Sequence, residues 1–437
     1  MSFFEQLQGE LIDKISMGVI KFGVVVLVAG LAACGSQKVD QCDKDSDCTN
    51  IAYPFCDVNG EYSPSGGEAH VCTVPPSDCP VDRCGCSPGA TTCDGDQETT
   101  CNVDGKSTTT STCSLGCADS KDHCLAFEPS NGLGPAMAAA GNEHDVVFPT
   151  SIRINTDTGM VFDTANAPVQ VTSLVSGNIR VYIAHSFVLS DVTVSGSKAL
   201  AFVAPGLISL GGTILASASG TTAGPGAGGG GDCVGTFGSA GGGGGNGTAG
   251  GAGYTPALGG NTSVAGGLLQ TAFAPLQGGC SGGGASAGAG GGALQFDSFV
   301  KISGASTATI NLGGGGADAT EHDGGGSGGT VIFEAPTVII GGGIFANGGA
   351  GSACGISGPN GTATVSQAVG PSCGNQGHGG NGGTGTVAPG AGGGPVDSAG
   401  GGGAVGRMHV STLDGTYSTG AGAIVSAVTT TDSLILK

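Results

Sequence analysis

Between about Lys198 and Ile424, short β-rich cassettes alternate with long glycine-dominated inserts, and this alternation restricts what the chain can fold into. Three cassettes superpose: Leu200 to Ala216, Ala293 to Leu312, and Thr330 to Asn347. Each reads as three short strands broken by Pro or Gly. Superposition places Phe202, Phe296 and Phe333 in matching positions and sets Asp297 beside Glu334. The insert always follows the third strand, which is the pattern of stacked repeats with insertions at one corner. The expected fold class is therefore all-β: a parallel β-helix (β-solenoid) with glycine-rich loop insertions, preceded by a small disulfide-rich domain. An antiparallel sandwich would account for the strands but not for the recurring place of the inserts.

The 92 glycines are concentrated in those inserts, so the cassettes can bury a core while the inserts need not. Glycine allows close backbone approach, so the inserts could pack on one another or on a ligand. A bundle of extended polyglycine helices calls for a strict short glycine period, and the inserts keep none. They are expected as loop excursions. Alternating β-branched segments before the cassettes, such as Ser151 to Ile154 and Ile179 to Ile183, place the start of the β domain near residue 145.

The N-terminal stretch reads as an export signal. Lys21 precedes an apolar run from Phe22 to Ala33, about a dozen residues against the ~20 that a bilayer span needs. The run ends in Leu31-Ala32-Ala33-Cys34. This ending resembles the lipobox of bacterial lipoproteins, which implies that Cys34 is diacylated and becomes the mature N-terminus. Gly35 and Ser36 lack the acidic residue that retains some lipoproteins in the inner membrane, so the expected address is the outer membrane at the cell surface. The acidic segment before Met17 is unusual for such a signal, and either Met1 or Met17 can be the start.

Seventeen cysteines imply an oxidising compartment. Setting Cys34 aside, twelve lie between Cys42 and Cys124, two (Cys233 and Cys280) in the first insert, and two (Cys354 and Cys373) in the last. Even counts in every segment fit a disulfide framework. The module from Cys42 to Cys124 has little apolar material, so cross-links rather than a core must hold it. Its Asp43-Lys-Asp-Ser-Asp-Cys48, Pro54-Phe-Cys56 and Cys86-Ser-Pro-Gly-Ala-Thr-Thr-Cys93 resemble the small cysteine-rich modules of myxobacterial-type cell-surface proteins. The inserts are similar in composition to PE-PGRS-type proteins. The expected organisation is a lipoprotein signal peptide (1–33), a lipid-anchored tether (34–41), the cysteine-rich module (42–124), a linker (125–144) and the glycine-rich β-solenoid (145–437).

Chemistry-bearing residues are sparse. Asp43, Asp45 and Asp47 alternate like the start of a calcium loop, but Cys48 and Pro54 stand where an EF-hand needs Gly and Glu. Calcium is thus the one cofactor the chain invites, with a solvated acidic turn as the plainer reading. Zinc on Cys84, Cys86 and His70 or His123 lacks a matched pair of ligand motifs. Glu321, His322, Asp323, Lys301, Arg407 and His409 are scattered polar candidates. Asp297 and Glu334 form the single aligned acid pair, weak candidates for the paired-carboxylate chemistry of a glycoside hydrolase. Serine-hydrolase, zinc-protease and nucleotide-binding motifs are absent.

A net charge of −20 opposes nucleic acid and anionic lipid surfaces. The reading is a lipid-anchored surface protein with a structural or adhesive role, in contact with matrix, cell-surface proteins or polysaccharide. The alternative is a polysaccharide lyase or glycoside hydrolase on the same scaffold. Replacing Cys34 by Ser should move the protein from the membrane to the soluble fraction and abolish incorporation of labelled fatty acid; unchanged fractionation and labelling would remove the lipid anchor.

Overall fold

Alternating apolar residues in the cassettes become strands because each can bury one face and pair its backbone on both edges. The computed structural model describes residues 42–43, 47–48, 55–60, 69–73, 86, 89–102, 107–228, 231–256, 262–320 and 322–437. Cys34 and Asp45 lie outside them. The chain divides into two compact units, residues 1–112 and 113–437.

In the first unit β1 (Phe55–Asp57) pairs antiparallel with β2 (Val71–Thr73). Strands β3 (Thr91–Asp94), β4 (Gln97–Cys101) and β5 (Thr108–Thr112) form an antiparallel sheet. Disulfides Cys42–Cys56, Cys48–Cys72 and Cys86–Cys101 cross-link the unit. The cysteine cluster of Cys42, Cys56 and Cys72 takes the place of an apolar core there.

The second unit opens with β6 (Val146–Val147), β7 (Ser151–Asn155), β8 (Met160–Asp163) and β9 (Ser173–Ser176). Triplets follow: β10 (Ile179–Ile183), β11 (Phe187–Leu189) and β12 (Asp191–Ser195), then β13 (Ala199–Ala204), β14 (Ile208–Leu210) and β15 (Thr213–Leu215). A small hairpin, β16 (Gly253–Thr255) and β17 (Thr262–Val264), lies within the first insert. The next triplets are β18 (Ala293–Ser298), β19 (Ile302–Gly304), β20 (Thr309–Asn311), and β21 (Thr330–Glu334), β22 (Val338–Ile340), β23 (Gly343–Phe345). Last come β24 (Arg407–Thr412), β25 (Ser418–Thr419), β26 (Ile424–Val425) and β27 (Val428–Ser433).

The members of each triplet go in turn to three sheets. The first has the order β27-β24-β21-β18-β13-β10-β9, the second β25-β22-β19-β14-β11-β6, and the third β26-β23-β20-β15-β12-β7-β8. Pairing is parallel throughout, except that β9 and β8 close their sheets antiparallel. The protein is thus nearly all β, with long parallel sheets and a disulfide-rich N-terminal region.

Register follows the aligned cassettes: Phe202 pairs with Phe296, and Phe296 with Phe333. Their rings stack 5.6 and 5.4 Å apart and lie within 12° of parallel. Tyr182 extends the ladder 5.9 Å beyond Phe202. These side chains join Ile208, Ile214, Ile302, Ile310, Val338 and Ile344 from the other two sheets in one buried cluster. Successive strands of this core add apolar area at about 25 cal/mol per Å² removed from water.

The glycine inserts are not loose excursions. Gly324 through Gly329 are buried and assigned to neither strand nor helix. The N–H groups of Gly325 and Gly328 donate to Gly401 and Ala404, those of Gly326 and Gly329 to Gly315 and Leu312, and those of Gly324 and Ser327 to Gly283 and Cys280. Each neighbour is reached every third residue, the geometry of an extended threefold helix with no internal hydrogen bonds. Three parallel segments close a ring, with Gly244 donating to Gly325, Gly325 to Gly401 and Gly401 to Gly241, each at 2.9 Å. A bundle therefore exists without a strict glycine period. The segments are short, and glycine is required wherever a neighbour crowds the backbone. A Cβ on Gly325 would lie 2.2 Å from the Gly349 carbonyl oxygen, and one on Gly401 would lie 2.1 Å from that of Gly251.

Two disulfides staple the inserts, Cys233–Cys280 and Cys354–Cys373. Outside the first sheet, residues 126–140 form a strap: a 3-10 turn at Ser130–Gly132 followed by helix α1 (Gly134–Ala140). Pro135 at the first turn and the alanine run favour this helix, and its Ala136, Met137 and Ala140 are buried.

Gly325→Ala should destabilise the protein by about 1–3 kcal/mol through overpacking. Gly211→Ala, where the nearest atom to the new Cβ is 3.5 Å away, should stay within about 0.5 kcal/mol. Urea titration of the two variants distinguishes a packed bundle from open loops, for which both changes would be silent.

Candidate functional site

Alternation along a strand sends successive side chains to opposite faces. On β18, Leu294 and Phe296 enter the core, so Gln295 and Asp297 face the strap; on β21, Val331 and Phe333 point inward, and Ile332 and Glu334 outward. Asp297 and Glu334 are register partners on adjacent parallel strands. The pair that sequence alignment picks out is therefore brought together, beneath residues 130–131.

Asp297 is fully buried, and Glu334 is 6% exposed. Glu334 Oε2 accepts from the Ser130 backbone N–H at 2.8 Å and from Gln295 Nε2 at 3.2 Å. Gln295 Nε2 also lies 3.0 and 3.2 Å from the two Asp297 oxygens, while Gln295 Oε1 accepts from Asn131 Nδ2 at 2.9 Å. Burial raises the Asp297 pKa well above the usual carboxylate range; the Glu334 charge and a hydrogen bond to Glu334 push it further up, and Gln295 opposes them. Two carboxyl groups in contact cannot both ionise cheaply. The site therefore favours the protonated form of Asp297 beside Glu334.

Chemically this is a proton-sharing pair under a lid. A glycosidase needs about 5 Å or more between its carboxyl groups, with the sugar between them. Here the two acids touch each other, and the Ser130 N–H covers the outer one. Gln295, Ser130 and Asn131 complete the arrangement and escape sequence reasoning. A signal was present only at Gln295, an amide in an otherwise apolar strand.

The remaining candidates do not converge on this pair. Arg407, with its guanidinium 4.4 Å over the Phe273 ring, donates from Nη1 to the carbonyls of Gln270 and Ala272. Burial lowers its pKa to about 10. His409 stacks on the other side chain of that clamp, Phe273, at 4.6 Å and lies 3.3 Å from Asp432. His322 pairs with Asp397 at 3.5 Å in the inserts. Lys301 follows the turn after β18 and is half-buried; Glu321 lies outside the described residues.

In the first unit, Asp43 meets His70 at 3.1 Å, and its N–H donates to Asp47. Cys86 is bonded to Cys101 rather than presented as a zinc thiolate. The close cysteines Cys42, Cys48 and Cys72 are all disulfide-bonded.

One open cleft, of about 360 Å³, lies where the three inserts leave the sheets. Gly220, Gly316 and Gly358 form a floor without side chains, and Ser219, Thr221, Asp318, Ser357 and Asn360 stand around it. Asn360 Oδ1 accepts from the backbone N–H of both Gly220 and Gly316 at 2.8 Å, which ties the inserts together there. Ser357 Oγ donates to Asp318 Oδ1 at 3.3 Å. A scan against family models, a search of curated proteins and a search of solved structures each found no match.

The sign of the pH effect follows from Asp297. Its folded pKa exceeds the unfolded value, so between the two the native state binds more protons. Stability is fully present below about pH 4, the ordinary carboxylate range, and declines as pH rises through the folded value. Each unit of upward shift corresponds to about 1.4 kcal/mol. Urea midpoints measured from pH 4 to 9 should fall in the wild type and flatten in Asp297→Asn; parallel profiles would remove this assignment.

Proposed function

We propose that this is an exported, lipid-anchored outer-membrane protein of the myxobacterial surface type, whose three parallel sheets wind as a parallel β-helix. On this reading the cysteine-rich unit is a cross-linked stalk, and the β domain makes structural or adhesive contact with polysaccharide. The observation that carries the proposal is the glycine bundle: an inter-bonded, disulfide-stapled body whose open cleft presents hydroxyl, amide and carboxylate side chains. Such a surface suits ligands that are themselves dense in hydroxyl groups, and the disulfides suit an oxidising exterior.

The cleft at Asp318 and Asn360 is where contact with a sugar is best supplied. Its carboxylate, amide and hydroxyl groups offer acceptors and donors within one ring's reach, and its glycine floor lets a ring lie close to the backbone. The net charge of −20 favours neutral over acidic polymers. The covered acid pair speaks for adhesion over the alternative of hydrolysis or elimination, which would need those acids open to the polymer.

The test is retention of the purified protein on a panel of neutral and acidic polysaccharides, with reducing-end and unsaturated-sugar release measured in the same samples. Retention on neutral polymers without release is expected, and Asp318→Asn should weaken it about tenfold, equivalent to about 1.4 kcal/mol. No retention on any polymer would overturn adhesion. Release that disappears in Asp297→Asn or Glu334→Gln would replace it with an enzyme.

A further inference from the structure

The strap holds to the first sheet in two chemically different ways. Most of its contacts are indifferent to pH. Leu133, Ala136, Met137 and Ala140 pack with Val181, Ala201, Val203 and Ile332. Phe127 meets Phe299 edge-on at 5.2 Å. At one end Ala126 and Lys437 exchange backbone hydrogen bonds, and the Lys437 ammonium pairs with Glu128. The Ser130–Asn131 turn, by contrast, meets the sheet through polar side chains. Ser130 donates to Glu334; Gln295 Nε2 lies 3.2 Å from Ser130 Oγ; and Asn131 donates to Gln295. Asn131 sits at φ 58°, in the left-handed region. Asn is among the few residues other than glycine that enter this region, and the bonds to Ser130 and Gln295 hold Asn131 there.

We propose that Asp297 and Glu334 are a proton-operated clasp on this strap: while one proton lies between them the Ser130–Asn131 turn is held against the sheet, and its loss releases the turn. The balance is simple. A hydroxide or buffer base takes the Asp297 proton, leaving two carboxylates side by side on adjacent strands. Among the described residues, none beside them supplies compensating charge. On the β13 side the register neighbour of Asp297 is Val203, and on the β24 side that of Glu334 is Ser411. Helix α1 carries no charged residue. The cation of the strap's far end, Lys437, is engaged by Glu128, and Lys301 lies beyond the turn that ends β18. His409 on β24 reaches Ser411 at 3.3 Å but not the acids themselves, and is held by Phe273, Thr430 and Asp432. Water is the remaining source of stabilisation for the second charge, and water reaches the pair by lifting residues 130–131. The apolar contacts of Phe127 and α1 flank that turn, so release is local.

The experiment is hydrogen exchange on the full protein from pH 5 to 9, corrected for the intrinsic pH dependence of exchange. Peptides covering residues 126–133 are compared with peptides from β22 and β23. Protection of the strap should fall at least tenfold across this range while the β22 and β23 peptides hold theirs. Asp297→Asn removes the titrating proton but keeps a donor to Glu334, and it should make strap protection independent of pH. Glu334→Gln leaves Asp297 to titrate without the neighbouring charge, so the fall in protection should shrink and move to lower pH. Constant protection of the wild-type strap from pH 5 to 9 overturns the clasp, and the wild-type profile decides this even if neither variant folds. A variant that folds and keeps the wild-type pH profile overturns it equally.

Discussion

A buried peptide group must find a partner or cost free energy comparable to a lost hydrogen bond. In this protein that demand is acute, because long stretches have no side chains to surround and shield the backbone. The glycine segments meet it by bonding outward, each to several neighbours in turn. The sheets depend on this arrangement as well. The segments entering β18, β21 and β24 are the same ones that make the bundle, and Gly292 O, for example, accepts the N–H of Thr330 at the start of β21. Bundle and sheets are one continuous hydrogen-bonded body.

The strand core obeys a different rule. Its stability lies in side chains repeated at one position, with aromatic rings stacked strand upon strand. The outer face of the same strands has no such regularity. It carries apolar residues under the helix, an amide and two acids under the turn, and a cation–aromatic clamp under the loop at Phe273. One face is made by repetition, and the other is fitted to particular covering segments.

That contrast explains what could be read in advance. The matching of Phe202, Phe296 and Phe333, and with it the pairing of Asp297 and Glu334, is local pattern repeated along the chain, and it survives intact as strand register. The covering of the acids could not be read. Ser130 lies 204 residues from Glu334 in sequence, and no periodicity connects them. The alanine-rich stretch at 136–140, which reads as connecting material, becomes helical because the sheet supplies an apolar face for it. The inserts misled for a further reason: a bundle built from backbone bonds leaves no side-chain pattern, and short segments with changing neighbours need no fixed glycine period.

The closed ring of glycine segments also sets an order of events. Strands of parallel sheets can add one after another as the chain emerges, each on the last. The ring cannot grow in that way, because its members come from three inserts; Asn246 alone bonds to Gly328, 82 residues further on. Contacts of such long range are slow to form, since loop-closure entropy is lost before they reward it. Until the third insert has been delivered, two sets of glycine segments hold unpaired N–H and C=O groups that water must satisfy. A chain of this design stays incomplete until nearly its last residues have been delivered.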